Sequence, residues 1–235
     1  MSYTHTYKLK NKDINIYRRL KTSRLFEMAQ ECSISHTEEI GMGRAKTLDK
    51  GLLWVVTQQY MRVRRMPEYD EEVTLNTWPG NTMHVLFPRY YSLLGKNGEQ
   101  LVAGSALWAL MDYETRKVIF PEKHGIVIEG EDNGMSVALP KVVKKEETDH
   151  QKAYTVPFSV CDMNGHMNNA RYFDLLEDSV SFVREKKQIT SAMVNYTMEI
   201  RYDETMTISW AEKNNHCYFS GDGNRNHFRM DIEFE

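Results

Sequence analysis

Residues 171–178 read RYFDLLED, and residues 24–31 read RLFEMAQE, the same octet 147 positions earlier. Arg24 falls on Arg171, Phe26 on Phe173, Glu27 on Asp174, Met28 on Leu175 and Glu31 on Asp178; Tyr7 meets Tyr154 in the same register. A second block repeats at an offset of 137, where MRVR at 61–64 meets MEIR at 198–201. Four extra residues in the first copy, Met66 to Tyr69, lower the offset to 133, and DEEVTLN at 70–76 then meets DETMTIS at 203–209. Self-similarity of this kind marks a repeated structural unit, so the chain is expected to hold two copies of one unit.

Both copies read alike. An opening strand (Tyr7–Leu9; Tyr154–Val160) leads through a loop into a helix. In the first helix Leu25, Met28, Ala29 and Cys32 mark a buried stripe. In the second, Tyr172, Leu176, Ser179 or Val180, and Val183 recur at helical spacing, with Asn168 or Asn169 as N-cap. Strands are expected at 52–63, 72–78, 84–94 and 100–112, with Lys96-Asn97-Gly98 as a turn, and again at 192–202, 205–212, 215–221 and 226–235. A long helix followed by antiparallel strands, twice, predicts an α+β fold with each helix packed across a curved sheet. The expected units are 1–120 and 151–235, joined by a linker at 121–150 that carries Gly125, Gly130, Gly134, Pro140 and a charged run.

Composition narrows the function. A chain of 235 residues can bury roughly 70–75% of its extended surface, so its core needs no metal or disulfide staple. Thirty basic against 33 acidic residues give a net charge of −3, which argues against a broadly cationic nucleic-acid binder. The apolar run LVAGSALWALM at 101–111 falls well short of the ~20 residues that cross a bilayer. The N-terminus lacks the apolar core of a signal peptide. Cys32, Cys161 and Cys217 are too widely spaced for a metal knuckle and read as reduced thiols of a cytoplasmic protein. No metal-ligand spacing is present, and no cofactor is implied.

Divergence between the copies points to the chemistry. Asn15-Ile16-Tyr17-Arg18-Arg19 in the first copy becomes Asp162-Met163-Asn164-Gly165-His166 in the second. Residues two apart share a face of an extended segment, so Asp162, Asn164 and His166 are expected to converge. At offset 137, Arg62 becomes Glu199, expected to be an inward-facing strand carboxylate between Met198 and Ile200. A carboxylate pair, an amide and an imidazole gathered in one copy make a catalytic constellation. Taken singly, each residue reads equally well as a turn, cap or surface group.

From Asp162 to Tyr172, and on to Leu176-Glu177, the sequence resembles the D-x-N-x-H-x-N-N-x-x-Y…E signature of acyl-acyl carrier protein thioesterases. Arg24-Leu25-Phe26 and the turn Gly41-Met42-Gly43 fit the N-terminal half of that family, so the resemblance spans essentially the whole chain. It implies a double hotdog fold, two copies of a helix wrapped by an antiparallel sheet. It also implies hydrolysis of a fatty acyl thioester on acyl carrier protein by Asp162, Asn164, His166 and Glu199, with no metal or other cofactor.

Some plant members carry a cysteine after the glutamate. Here that position is Ile200, which disfavours a thiol nucleophile and favours Glu199, either activating water or attacking directly through a mixed anhydride. The plant proteins' transit peptide and anchoring region are not found, which implies a bacterial cytoplasmic enzyme. Asn168 and Asn169, at the start of the second helix, are expected to face the thioester. Trp54 and Met28, with Met111, are candidates to line an acyl pocket in the first copy. Arg62, Arg64 and Arg65, with Arg18 and Arg19, are candidates to receive the acidic carrier protein. The other histidines are assigned to the surface by default, and a homodimer is left open. An acyl-CoA thioesterase and a non-enzymatic acyl-thioester-binding module are the competing readings.

Overall fold

The structure is a computed structural model that describes residues 2–131 and 137–235. Its elements run β1 (Tyr3–Lys8), α1 (Thr22–Glu39), β2 (Leu52–Val63), β3 (Glu72–Pro79), β4 (Leu86–Gly95) and β5 (Gln100–Asp112) in the first copy. The second copy gives β6 (His150–Thr155), α2 (Arg171–Ser179), β7 (Ile189–Tyr196), β8 (Thr205–Lys213), β9 (His216–Asp222) and β10 (Asn226–Phe234). All ten strands form one antiparallel sheet in the order β1-β3-β4-β5-β2-β7-β10-β9-β8-β6. The second half of that order repeats the first in mirror sequence, so β2 and β7 meet at the centre as equivalent strands. Helices α1 and α2 lie on the inner face. This is the double hotdog arrangement that the resemblance implies.

Strand register shows the duplication independently of residue identity. Tyr7 faces Val73 and Tyr154 faces Met206, which reproduces offsets of 147 and 133. A bulge follows Val56, which faces Trp108, and the matching bulge lies beside Ile189, which faces Phe234. Tyr60 and Met193 are equivalent under the 133 offset and sit directly opposite each other at the β2/β7 seam. A pseudo-twofold axis therefore passes between them.

Several local expectations are corrected. The bulges align β2 with β7 at 133, so the 137 match of MRVR to MEIR is not structural. Strand β7 ends at Tyr196, so Glu199 lies in the loop before β8 and its counterpart is the buried Met66. Arg62 is exposed and shares the outer sheet face with Tyr60. The expected strand 154–160 gives way to a 3-10 turn at Phe158–Val160. The second helix has nine residues against eighteen in the first. His36 and His227 are buried rather than exposed.

Between the helix and the next strand the offset falls from 147 to 133, so the first copy holds fourteen additional residues there. They extend α1 and form the 3-10 turns at Arg44–Lys46 and Leu48–Lys50. The second copy closes the corresponding space with Phe182, which stacks on Phe234 at 4.0 Å. The connection between copies crosses the outer face of the seam. There Val143 N–H donates to Asn195 Oδ1 at 2.6 Å, and Asn195 Nδ2 donates to the Lys141 carbonyl.

Candidate active site

The segment from Asp162 to His166 is a tight turn, not an extended strand. Asp162 N–H donates to the His166 carbonyl, and Gly165 N–H donates to the Asp162 carbonyl, both at 3.0 Å. Gly165 sits at φ 82, the left-handed region that glycine reaches without cost. Asp162 Oδ1 accepts the Asn164 N–H at 2.8 Å, an Asx turn that fixes the loop. The first copy builds the same turn without the chemistry: Asn15 replaces Asp162, Arg18 stands at φ 65, and Arg19 occupies the His166 position. Asn164-Gly165 was the sequence signal for this turn.

The turn brings His166 and Asp162 together with Glu199. His166 Nε2 lies 3.4 Å from Glu199 Oε2, and His166 Nδ1 lies 3.9 Å from Asp162 Oδ1. His166 Nε2 is buried and makes no hydrogen bond among the described residues. Asn164 does not join them: its side chain is exposed and bonds to nothing among the described residues. Met163 beside it is 92% exposed. The flanks of Glu199 differ from the expected apolar pair, because Ile200 is buried but Met198 is 39% exposed.

Elements from both copies hold this site. His227 Nδ1 on β10 donates to the Glu199 carbonyl at 3.1 Å, anchoring the loop that carries the carboxylate. Arg116, in the turn after β5, donates from Nη2 to Glu199 Oε2 at 2.7 Å. Neither group was singled out from sequence, since a lone Arg or His carries no local signal. The Tyr196 hydroxyl, with its single proton, lies 3.2 Å from the Asn169 carbonyl and 3.1 Å from Gln59 Oε1, tying the loop before α2 to β2. Burial pushes the Tyr196 hydroxyl well above its ordinary ionisation. Tyr172 is also pushed up by burial, reinforced by Glu199 and Asp162 nearby. Asn168 Oδ1 accepts the Ala170 N–H at 2.9 Å, but the N-cap of α2 is Ala170 and no side chain caps the helix, so neither Asn168 nor Asn169 is the expected N-cap.

A cavity of about 190 Å³ opens in the first copy. Ser33, Ile34, Thr37 and Glu38 of α1, the turn residues Gly43, Arg44, Thr47 and Leu48, and Leu52, Leu53, Trp54 and Trp108 of the sheet line it. Eight of those twelve lie between Ser33 and Leu48, along the helix-to-strand stretch that the first copy lengthens by fourteen residues. Trp54 is among the expected lining residues, whereas Met28 is fully buried in the core beneath α1 and Met111 lies outside the lining. Leu52 faces Asp112 across β2/β5, and Tyr113 N–H donates to the Gly51 carbonyl at 2.8 Å. The cavity wall is therefore continuous with the turn that carries Arg116.

The arginine cluster lies elsewhere. Arg62 faces Ser191 at the far end of β2, eight residues from Trp54, or about 26 Å along the strand. Arg65 is neutralised by Glu71 at 2.7 Å, and Arg19 donates to the Lys186 carbonyl. Arg62 and Arg64 remain exposed, on the end of the sheet away from Glu199.

Burial raises all three free thiols, Cys32, Cys161 and Cys217, which is the opposite of an activated thiolate. No group of three or more metal-ligating side chains occurs among the described residues.

Comparison with known families decides the assignment. The model of the acyl-ACP thioesterase N-terminal domain matches residues 1–123, and that of the C-terminal domain matches 143–232. The chain belongs to the acyl-ACP thioesterase family. Among family relatives, the chloroplastic acyl-acyl-carrier-protein hydrolase FATB2 of Cuphea viscosissima is 27% identical over 217 residues, covering 84% of this chain and 52% of the relative. A chloroplastic dodecanoyl-acyl-carrier-protein hydrolase of Cinnamomum camphora is 23% identical over 222 residues, 87% of this chain and 58% of its own length. The chain thus spans about half the length of these plant acyl-ACP thioesterases. An acyl-ACP thioesterase from Bacteroides thetaiotaomicron shares the fold with a TM-score of 0.89 at 21% identity, covering 100% of this chain and 98% of that one. The 12:0-ACP thioesterase of Umbellularia californica gives 0.81 at 20% identity, covering 100% and 97%.

Proposed function

We propose that this chain hydrolyses the thioester of fatty acyl-acyl carrier protein in the cytoplasm, releasing free fatty acid and the carrier protein. The observation that carries this reading is the approach of His166 and Glu199 from two separate loops, 3.4 Å apart, beside the start of α2. In this reading Glu199 takes a proton from water as its oxygen adds to the thioester carbonyl carbon. The positive N-terminal end of the α2 dipole stabilises the resulting oxyanion. Collapse breaks the carbon–sulfur bond, and the proton held by Glu199 passes through His166 to the departing thiolate, which leaves both groups as they began. Asp162 shapes the turn that aims His166, and the exposed Asn164 amide is free to meet the substrate. The second unit, 151–235, supplies this chemistry, and the cavity of the first, 1–120, receives the acyl chain.

The carrier protein must bring its thioester to Glu199, and the Arg62–Arg65 end of β2 is too remote to be its principal dock. The exposed cations Arg201, Lys117, Lys46 and Lys50 border the correct end of the sheet. They are better placed to meet an acidic partner.

The test is thiol release from acyl-acyl carrier protein across chain lengths, with acyl-CoA as competitor. Wild-type turnover on the carrier-bound thioester and a loss of ~10²–10⁴-fold in folded Glu199→Gln are expected. Binding without release would make the chain an acyl-thioester-binding module, and preference for the CoA ester would change its substrate.

A further inference from the structure

Arg116 is a first-copy residue placed against a second-copy carboxylate. Its Nη2 donates to Glu199 Oε2 at 2.7 Å, with both side chains about one-third exposed. Among the described residues no hydrogen bond is made to Glu199 Oε1, so the guanidinium grips one carboxylate oxygen and leaves the other open.

The backbone that carries Arg116 is built for that reach. Arg116 stands at φ 56, a left-handed conformation that long side chains seldom adopt. The turn is fixed from both sides. Asp112 Oδ1 accepts from both the N–H and the hydroxyl of Thr115 at 2.7 Å, and Arg116 N–H donates to the Asp112 carbonyl at 3.0 Å. The guanidinium also lies over the Tyr113 ring, 5.8 Å from its centroid. Strain of this kind persists where surrounding contacts hold it in place.

The ion pair is also unfinished. Arg116 Nη1 and His166 Nε2 are both buried without a hydrogen-bond partner among the described residues, and both side chains approach the same oxygen, Glu199 Oε2. Native interiors rarely leave such atoms unpaired. A purely structural pair would be closed around its charges, whereas this one leaves two polar atoms unsatisfied.

We infer that Arg116 is a positioning residue for the reaction: through it the first copy fixes Glu199 Oε2 and aims Oε1 at the water. The inference rests on Glu199 acting as the base. Because Arg116 follows β5, whose partner β2 forms the cavity wall, it also ties the acyl-binding half of the protein to the carboxylate in the other half.

The test compares full-length wild type, Arg116→Ala and Arg116→Lys on acyl-acyl carrier protein, with Tm measured for each. Arg116→Ala should lose about 10²-fold in kcat, the cost of a misaimed catalytic group, with KM changed by less than a factor of about three. Arg116→Lys should retain part of the lost turnover, since it keeps the charge without the forked geometry. Guanidinium ion added at millimolar concentration should restore turnover to Arg116→Ala and not raise that of wild type, an effect that a fold-stabilising residue would not show. A kcat within about threefold of wild type, or a loss that guanidinium leaves unrestored, overturns the inference alone. A wild type inactive on every thioester overturns the functional reading, and this inference with it.

Discussion

Phe26 and Phe173, the same position in the two copies, stack on each other with ring centroids 4.0 Å apart and planes 21° from parallel. The pseudo-twofold axis that passes between Tyr60 and Met193 in the sheet thus continues between α1 and α2. Around it the helices exchange polar contacts: Arg171 pairs with Glu27, and Thr22 at the start of α1 donates to Glu177 of α2. Glu177 also accepts from the Thr22 backbone N–H, which satisfies one donor of a helix end that has no side-chain cap of its own.

Truncating either ring should therefore loosen both halves together. Phe26→Ala and Phe173→Ala are each expected to cost about 3–5 kcal/mol in denaturant unfolding. Because the rings touch, the double variant should cost less than the two single losses combined, by about 0.5–1.5 kcal/mol. Simple additivity would show that the stack does not couple the copies.

The Asp162–His166 turn offers a test that separates a structural residue from one proposed to face the substrate. Asp162→Ala removes the acceptor of the Asn164 N–H and should lower both Tm and turnover. Asn164→Ala removes a side chain without intramolecular partners, so Tm should hold while turnover falls. Normal turnover in Asn164→Ala would remove that residue from the mechanism.

The cavity proposed to receive the acyl chain gives a prediction on specificity. Leu53→Phe adds bulk to the cavity wall and should reduce kcat/KM for the longest accepted chain more than for shorter ones. Each methylene excluded is worth about 1–3 kcal/mol, or 10–200-fold. An unchanged chain-length profile would place the acyl chain elsewhere.

Stability should depend on pH through His36. Its Nδ1 accepts from the buried Arg89 at 2.9 Å, and burial together with that cation lowers its pKa from 6.5 to about 4. Between those values the unfolded chain binds the extra proton, so the neutral ring's contribution is complete above pH 6.5 and is lost as pH falls toward 4. His36→Gln should show a smaller loss across that window, the difference being on the order of 1–3 kcal/mol. Parallel curves for the two proteins would show that His36 charges freely in the folded state.

The sequence by itself determined the architecture. The octet at 24–31 and 171–178, the offset of 133 and the alternating runs in the first copy are local patterns, and they sufficed because each copy folds by its own periodicity. The strands expected at 52–63 and 100–112 coincide with β2 and β5. The signature from Asp162 to Glu177 placed the candidate chemistry in the second copy for the same reason: it is contiguous.

Tertiary structure alone decided what depends on contacts between distant segments. Asp162, Asn164 and His166 were expected on one extended face, yet Gly165 bends the chain so that Asn164 turns outward. Glu199 resembled a strand residue because its neighbours matched MRVR, but β7 has already ended when the chain reaches it. Arg62 and its neighbours carry the charge that a docking site needs, and the strand holds them at its far end. The cavity arises from a length difference between helix and strand, which becomes a pocket only because the sheet keeps both copies in one register. Arg116 and His227 reach Glu199 across 83 and 28 residues of sequence, and such pairings follow from the closing of the sheet, not from the character of either residue.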